Sequence, residues 1–153
     1  MNDGRALIVR TAQPADAGEI ARLNTRMNGS DEPPENYANR LKEARRVDTP
    51  ILAEMDGQVI GMANLRLLQP VFYAEPYAEL TEMFVEESYR RRGVGRALIA
   101  FAEQLALEGG AHAMLVLTDF YNHAAQELYR SMGFVHYDIA LIKSLGKDFN
   151  QEG

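Results

Sequence analysis

The chain has 153 residues, 46% hydrophobic and 25% charged, with a formal net charge of −6. That is room for one well-buried domain, and the negative balance argues against general affinity for nucleic acid or an anionic membrane. The complete lack of cysteine excludes a disulfide frame, a thiolate metal site and a cysteine nucleophile.

The opening Met1-Asn2-Asp3-Gly4-Arg5 is too polar for a signal peptide. No apolar run is long enough to span a bilayer, so a cytoplasmic chain is expected. Ala6 to Arg10 reads as a first strand. Pro14 and Asp16 then mark a helix start, and Ile20, Leu23 and Met27 recur at helical spacing from about Ala15 to Met27. Asn28 to Pro34 reads as loop, and a second helix is expected over about Pro34 to Arg46. Two strands, Pro50 to Glu54 and Gln58 to Leu67, flank Met55-Asp56-Gly57, and Asp-Gly is a strong hairpin signal. A long loop rich in aromatics and acids (Phe72, Tyr73, Glu75, Tyr77) leads into an apolar strand, Ala78 to Val85.

Next comes Arg90-Arg91-Arg92-Gly93-Val94-Gly95-Arg96, followed by a helix-like stretch to Glu108 that Gly109-Gly110 stop. Ala113 to Thr118 is apolar enough for a central strand. A helix over Asn122 to Met132, stopped by Gly133, and a last strand over about Val135 to Ser144 complete the order. The tail from Gly146 is polar and expected to fray. The order β-α-α-β-β-β-α-β-α-β, with no repeat and no linker, predicts one α/β or α+β domain over residues 1–153, a mixed sheet with helices on both faces.

Strand, glycine turn, helix is an anion-binding arrangement. The first N–H groups of a helix lack internal partners, the dipole adds positive charge there, and glycine permits close approach. With four arginines in seven residues, the turn reads as a seat for a cofactor's pyrophosphate. A Walker loop is absent. A dinucleotide fingerprint would need a third glycine where Leu98 stands, although Asp119 lies at a tolerable distance for a ribose-binding acid.

The stretch Ala78 to Phe134 resembles the GCN5-related N-acetyltransferase (GNAT) superfamily. Arg90, Gly93 and Gly95 match its pyrophosphate loop, Arg/Gln-x-x-Gly-x-Gly/Ala. Asn122, Ala125, Leu128, Tyr129, Gly133 and Phe134 match its later hallmark. The resemblance implies a mostly antiparallel sheet in which a parallel strand pair splays apart to hold acetyl-CoA. It implies that backbone N–H groups of Arg91, Arg92, Gly93, Val94, Gly95 and Arg96 hold the pyrophosphate. Side chains of Arg91, Arg92 and Arg96 would lie in water or near the 3′-phosphate. Met83, Phe84 and Val85 would offer backbone groups to the pantetheine and the acetyl carbonyl, Asn122 would bond the pantetheine arm, and Tyr129 would protonate the leaving thiolate. The resemblance makes Glu82 the first candidate for the base and Glu79 the second, with a water relay through backbone carbonyls an equal alternative.

The implied activity is direct attack of a primary amine, of a small molecule or a peptide, on the thioester. The implied partners are that amine and no nucleic acid, membrane or metal; a homodimer is compatible with the family. The acidic loop Asp31, Glu32, Glu35 and the aromatic-acid stretch Phe72 to Glu79 suit a cationic acceptor, or serve packing or a dimer contact. The competing function is a non-catalytic acyl-CoA-binding module of the same fold. Alone, Arg90 to Arg92 reads as a solvated charge run, Tyr129 as a core tyrosine and Glu82 as a satisfied strand carboxylate. His112, His123 and His136 have no metal-ligand spacing and read as surface or structural.

Overall fold

The computed structural model describes residues 6–43 and 47–146. The chain divides into two compact units, the first running to Leu117 and the second starting at Thr118. The first holds β1 (Leu7–Thr11), α1 (Ala17–Asn28), α2 (Pro34–Leu41), β2 (Asp48–Met55), β3 (Gln58–Leu68), β4 (Tyr77–Val85), α3 (Val94–Glu108) and β5 (Met114–Val116). The second holds α4 (His123–Ser131). The expected extension of α2 over residues 44–46 and the tail over 147–153 lie outside the described residues.

The sheet order is β1-β2-β3-β4-β5, with the first three pairings antiparallel and β4-β5 parallel. The β2-β3 hairpin closes through Asp56 and Gly57, whose φ values of 54° and 76° are both left-handed. That pair of angles is the turn whose twist matches the flanking strands.

Helices cover both faces. Leu52 of β2 and its partner Met62 of β3 pack with Ile20, Leu23 and Leu41 of α1 and α2. The neighbouring pair Ala53 and Gly61 faces the other way. A Cβ on Gly61 would lie 3.2 Å from the Phe84 carbonyl, 3.3 Å from Val94 and 3.4 Å from Leu98. Gly61 therefore lets α3 sit down on the strands. Val94, Leu98, Ile99 and Ala102 are at most 1% exposed. Burying side chains such as Val94, Leu98 and Ile99 favours the fold by about 1.5–3 kcal/mol each, and this fixes the start of α3 against the end of β4.

Two expectations need correction. Val135 to Ser144 forms no strand; Val135, Tyr137, Ile139 and Leu141 are all more than 80% exposed. Their alternation is that of a strand, but no described strand pairs with them, and an extended segment without a ladder partner is not a strand. Among the described strands β5 is the sheet's edge, not its centre, and only three residues long.

In the second unit Asn122 caps α4, its Oδ1 accepting from the Ala125 N–H at 3.1 Å. Gly133, at φ 95°, turns the chain back so that the Phe134 N–H reaches the Tyr129 carbonyl and the two rings meet edge to face at 5.6 Å.

Candidate functional site

Between β4 and α3 the chain makes a 3-10 turn (Glu87–Tyr89) and then the arginine-glycine loop. Arg91 has φ 61° and Gly93 φ 82°, while Arg92 between them and Val94 after them do not enter the positive range. Alternation of this kind curls successive N–H groups inward into an anion-binding nest. Among the described residues, the main-chain N–H groups of Arg91, Arg92, Gly93, Val94 and Gly95 meet no hydrogen-bond acceptor. The start of α3 adds its dipole.

Two arginine side chains do other work. Arg90 Nε donates to the Val85 carbonyl at 2.9 Å with its guanidinium 5.7 Å from the Phe84 ring centre, and the Arg92 guanidinium lies 5.5 Å from that of Tyr89. They brace the loop, and the main chain is left to meet an anion. Arg91 and Arg96 are exposed.

The parallel pairing of β4 with β5 ends at Leu80 and Val116, so residues 81–85 of β4 continue beyond the ladder. The Glu86 N–H donates to the Ile60 carbonyl at 2.9 Å, which sets the phase of the strand. Phe84, two residues back, turns its main-chain groups toward Met62, and Met83 and Val85 turn theirs to the open side.

On the α1-α2 side of the sheet lies a cavity of about 410 Å³. Its walls are helical residues (Asn24, Met27, Tyr37, Arg40) and strand residues (Asp48, Met62, Asn64, Arg66, Thr81, Glu82). A bulge builds the polar end. Asn64 opposes Glu82 and Leu65 opposes Leu80, so Thr81 is the extra residue. The bulge brings Thr81 and Glu82, adjacent in sequence, to one cavity, where strict alternation would separate them.

Asp48 and Arg66 form a two-pronged pair at 2.8 and 3.1 Å. The Arg66 guanidinium, with help from the Asn64 amide, holds the Asp48 carboxyl below its usual range. Glu82 is exposed and carries no ion pair among the described residues. Partial burial raises its pKa, Arg66 pulls it down and Asp48 pushes it up, with a net rise. Glu79 opposes Arg66 and does not line the cavity.

In the second unit Tyr129 is 8% exposed, and burial raises its pKa above the usual phenol value. Asn122 uses its Oδ1 as the cap, which leaves its amide N–H groups for other work.

Of the acidic and aromatic residues expected at an acceptor end, none lines this cavity. Phe72 and Tyr73 are exposed on the 69–76 loop, and Glu32 is engaged by Arg40. Between residues 28 and 35 only Asn28, the last residue of α1, lines the cavity. Asp48, Asn64, Arg66 and Tyr37 were invisible as site residues because each is a single polar residue in an ordinary element; only pairing brings them together. No cluster of three metal-ligating side chains and no helix long and apolar enough to cross a membrane occurs among the described residues.

One carboxylate links the two regions. Glu86, immediately after β4, takes Arg22 and, at 3.2 Å, Arg26 of α1, and Arg22 also donates to the Val59 carbonyl at 2.8 Å.

Comparison with known proteins agrees with the sequence resemblance. The chain is 36% identical over 78 residues to the D-amino-acid N-acetyltransferase HPA3 of Saccharomyces cerevisiae, covering 51% of this chain and 48% of the relative. It is 32% identical over 118 residues to an uncharacterized N-acetyltransferase of Chlorobaculum tepidum, covering 72% and 66%. The chain thus spans about half the length of the yeast relative. In fold it matches the aminoglycoside N-acetyltransferase AAC(6')-Iy in complex with CoA, with TM-score 0.81 at 20% identity over 96% of this chain and 99% of that one. A ribosomal-protein-alanine N-acetyltransferase from Brucella melitensis matches with TM-score 0.79 at 19% identity over 92% and 100%. The mixed, mostly antiparallel sheet and its parallel edge pair are therefore those of known acetyltransferase structures. With the model of the acetyltransferase (GNAT) family matching residues 17–134, the chain belongs to that family.

Proposed function

We propose that the chain is an acetyl-CoA-dependent N-acetyltransferase that moves an acetyl group directly onto a primary amine. The observation that carries this reading is the row of unengaged main-chain donors over Arg91 to Gly95, curled by alternating φ at the start of a helix. A diphosphate satisfies them. The main-chain groups of Met83 and the N–H of Val85, on the open side of β4, suit the pantetheine amides and the acetyl carbonyl, where a fixed donor stabilises developing negative charge.

Glu82 is the base. An alkylamine is mostly protonated near neutrality; Glu82 accepts one proton and passes it to solvent, the freed lone pair forms the C–N bond, and the adduct nitrogen gives up a second proton to Glu82 as the C–S bond breaks. By the family motif, Tyr129 returns a proton to the thiolate and Asn122 holds the pantetheine arm. Support for an amine acceptor comes from the relatives, named for D-amino acids and aminoglycosides. Two bound substrates held in line provide much of the acceleration.

The test is acetyl-CoA binding by calorimetry together with thiol release over a panel of amines, with Tyr129→Phe as control. Binding without release for any amine would leave an acyl-CoA-binding module; no binding at all would sink both.

A further inference from the structure

Asn64, which lines the cavity beside β4, carries a polar atom that the fold itself does not use. Asn64 is 9% exposed, and its Nδ2 donates to the Thr81 hydroxyl at 2.8 Å. Its Oδ1 is buried and accepts no hydrogen bond. A buried acceptor without a donor destabilises a fold by about 1–3 kcal/mol, and native chains keep few of them. Asn64 lies opposite Glu82 in the β3-β4 register, so both side chains reach the same cavity end. Two acceptors side by side, one charged and one neutral, suit an ammonium group.

The charges around them limit what else the ligand carries. Arg40 is paired with Glu32, and Arg66 with Asp48. Of the carboxylates lining the cavity, Asp48 is held by Arg66 and Glu43 has a partner of its own, while Glu82 carries no ion pair among the described residues. Further along, the walls are Met27, Tyr37, Leu41 and Met62. A polycation would lay its other charges against arginines, thioethers and a Tyr37 ring already faced by the Arg40 guanidinium. A volume of about 410 Å³ is at the small end for ligand cavities.

We infer that Asn64 is a specificity-determining residue, gripping with Glu82 the ammonium of a compact, singly charged amine whose apolar body lies along α1 and α2. Once Glu82 has taken one proton, Asn64 Oδ1 still holds an N–H of the neutral amine. This rests on the reading of the chain as an amine acetyltransferase.

The experiment compares phenethylamine and hexylamine with spermidine and kanamycin on the full chain. It measures amine binding by calorimetry with CoA present, and kcat and KM by thiol release. The monoamines should give the higher kcat/KM. Asn64→Leu removes the orphan acceptor, so its melting temperature should hold or rise. Its KM for phenethylamine should rise about 10- to 100-fold, with kcat changing far less, as for a lost hydrogen bond to a charged group. Asn64→Asp should restore monoamine binding and move preference toward spermidine.

A wild-type preference for spermidine or kanamycin, or an unchanged KM in Asn64→Leu, overturns the inference while leaving acetyl transfer intact. Phenethylamine bound Asn64-dependently without turnover upholds it and removes the enzymatic reading instead. Failure to bind either monoamine overturns it whatever happens with acetyl-CoA.

Discussion

Gly93→Ala tests whether the loop geometry is what grips the cofactor. Gly93 has φ 82°, and an added Cβ would meet no atom within 4 Å. Clash inside the protein is therefore excluded, and only backbone strain remains. An L-residue in the left-handed region costs about 1–2 kcal/mol. Either the folded chain bears this strain and unfolds more easily, or the loop relaxes and an anion must restore the turn. Stability loss and binding loss should then sum to about 1–2 kcal/mol. If all of it falls on binding, Kd for acetyl-CoA rises ~5- to 30-fold. Gly110→Ala is the matched control, with φ 81° and a nearest contact of 3.7 Å to Pro76, at the far end of α3. It should lower stability by a similar amount and leave the affinity unchanged. Calorimetry and denaturant unfolding of both variants measure the two losses. If Gly93→Ala changes neither quantity, the left-handed turn at Gly93 is not what the loop depends on, and the nest does not hold the diphosphate.

Glu82→Gln should lower kcat/KM by about 10²–10⁴ and remove the acid limb of its pH profile. Burial raises the pKa of Glu82, so the unchanged chain should lose activity as pH falls through a value above 4.5. The same shift disfavours the ionised form in the fold, so the glutamine variant should be as stable at neutral pH or more so. Tyr129→Phe keeps the ring that meets Phe134 at 5.6 Å and loses only the hydroxyl; thiol release should fall while the melting temperature holds. Arg10 joins Asp16, at 2.8 Å, and Glu54, and its guanidinium holds the Asp16 carboxyl below the usual range. Arg10→Met should destabilise by about 1–3 kcal/mol at neutral pH. That difference should vanish as pH falls through the lowered Asp16 value, where the carboxylate's contribution is lost in the unchanged chain.

Much of this was legible in the residues because the signals are local. Asp56-Gly57 prescribes its own hairpin, Gly109 and Gly110 end their own helix, and Arg90-x-x-Gly93-x-Gly95 sits where a strand hands over to a helix. The cavity was not legible. Its polar end depends on the extra residue at Thr81, and nothing in Leu80-Thr81-Glu82 marks a bulge; it is a property of how β3 and β4 meet. The same distinction explains the misread last strand. Val135, Tyr137, Ile139 and Leu141 alternate as a strand does, but alternation describes one chain and a ladder needs two. Arg90 shows the limit for side chains: its place in the motif suggested an anion, and its guanidinium is taken up by the Val85 carbonyl and the face of Phe84.

The position of Glu86 has a mechanical consequence. Arg22 and Arg26 pull on this residue from α1, sixty-odd positions earlier in sequence, at the point where the backbone leaves the sheet and bends toward the arginines and glycines. Displacing α1, as a bulky guest would when it settles against Met27, tugs on that bend; stiffening the bend restrains α1 in return. Occupancy on one side would then be geared to shape on the other, so each guest should alter how firmly its counterpart is held, and by the same factor in both directions.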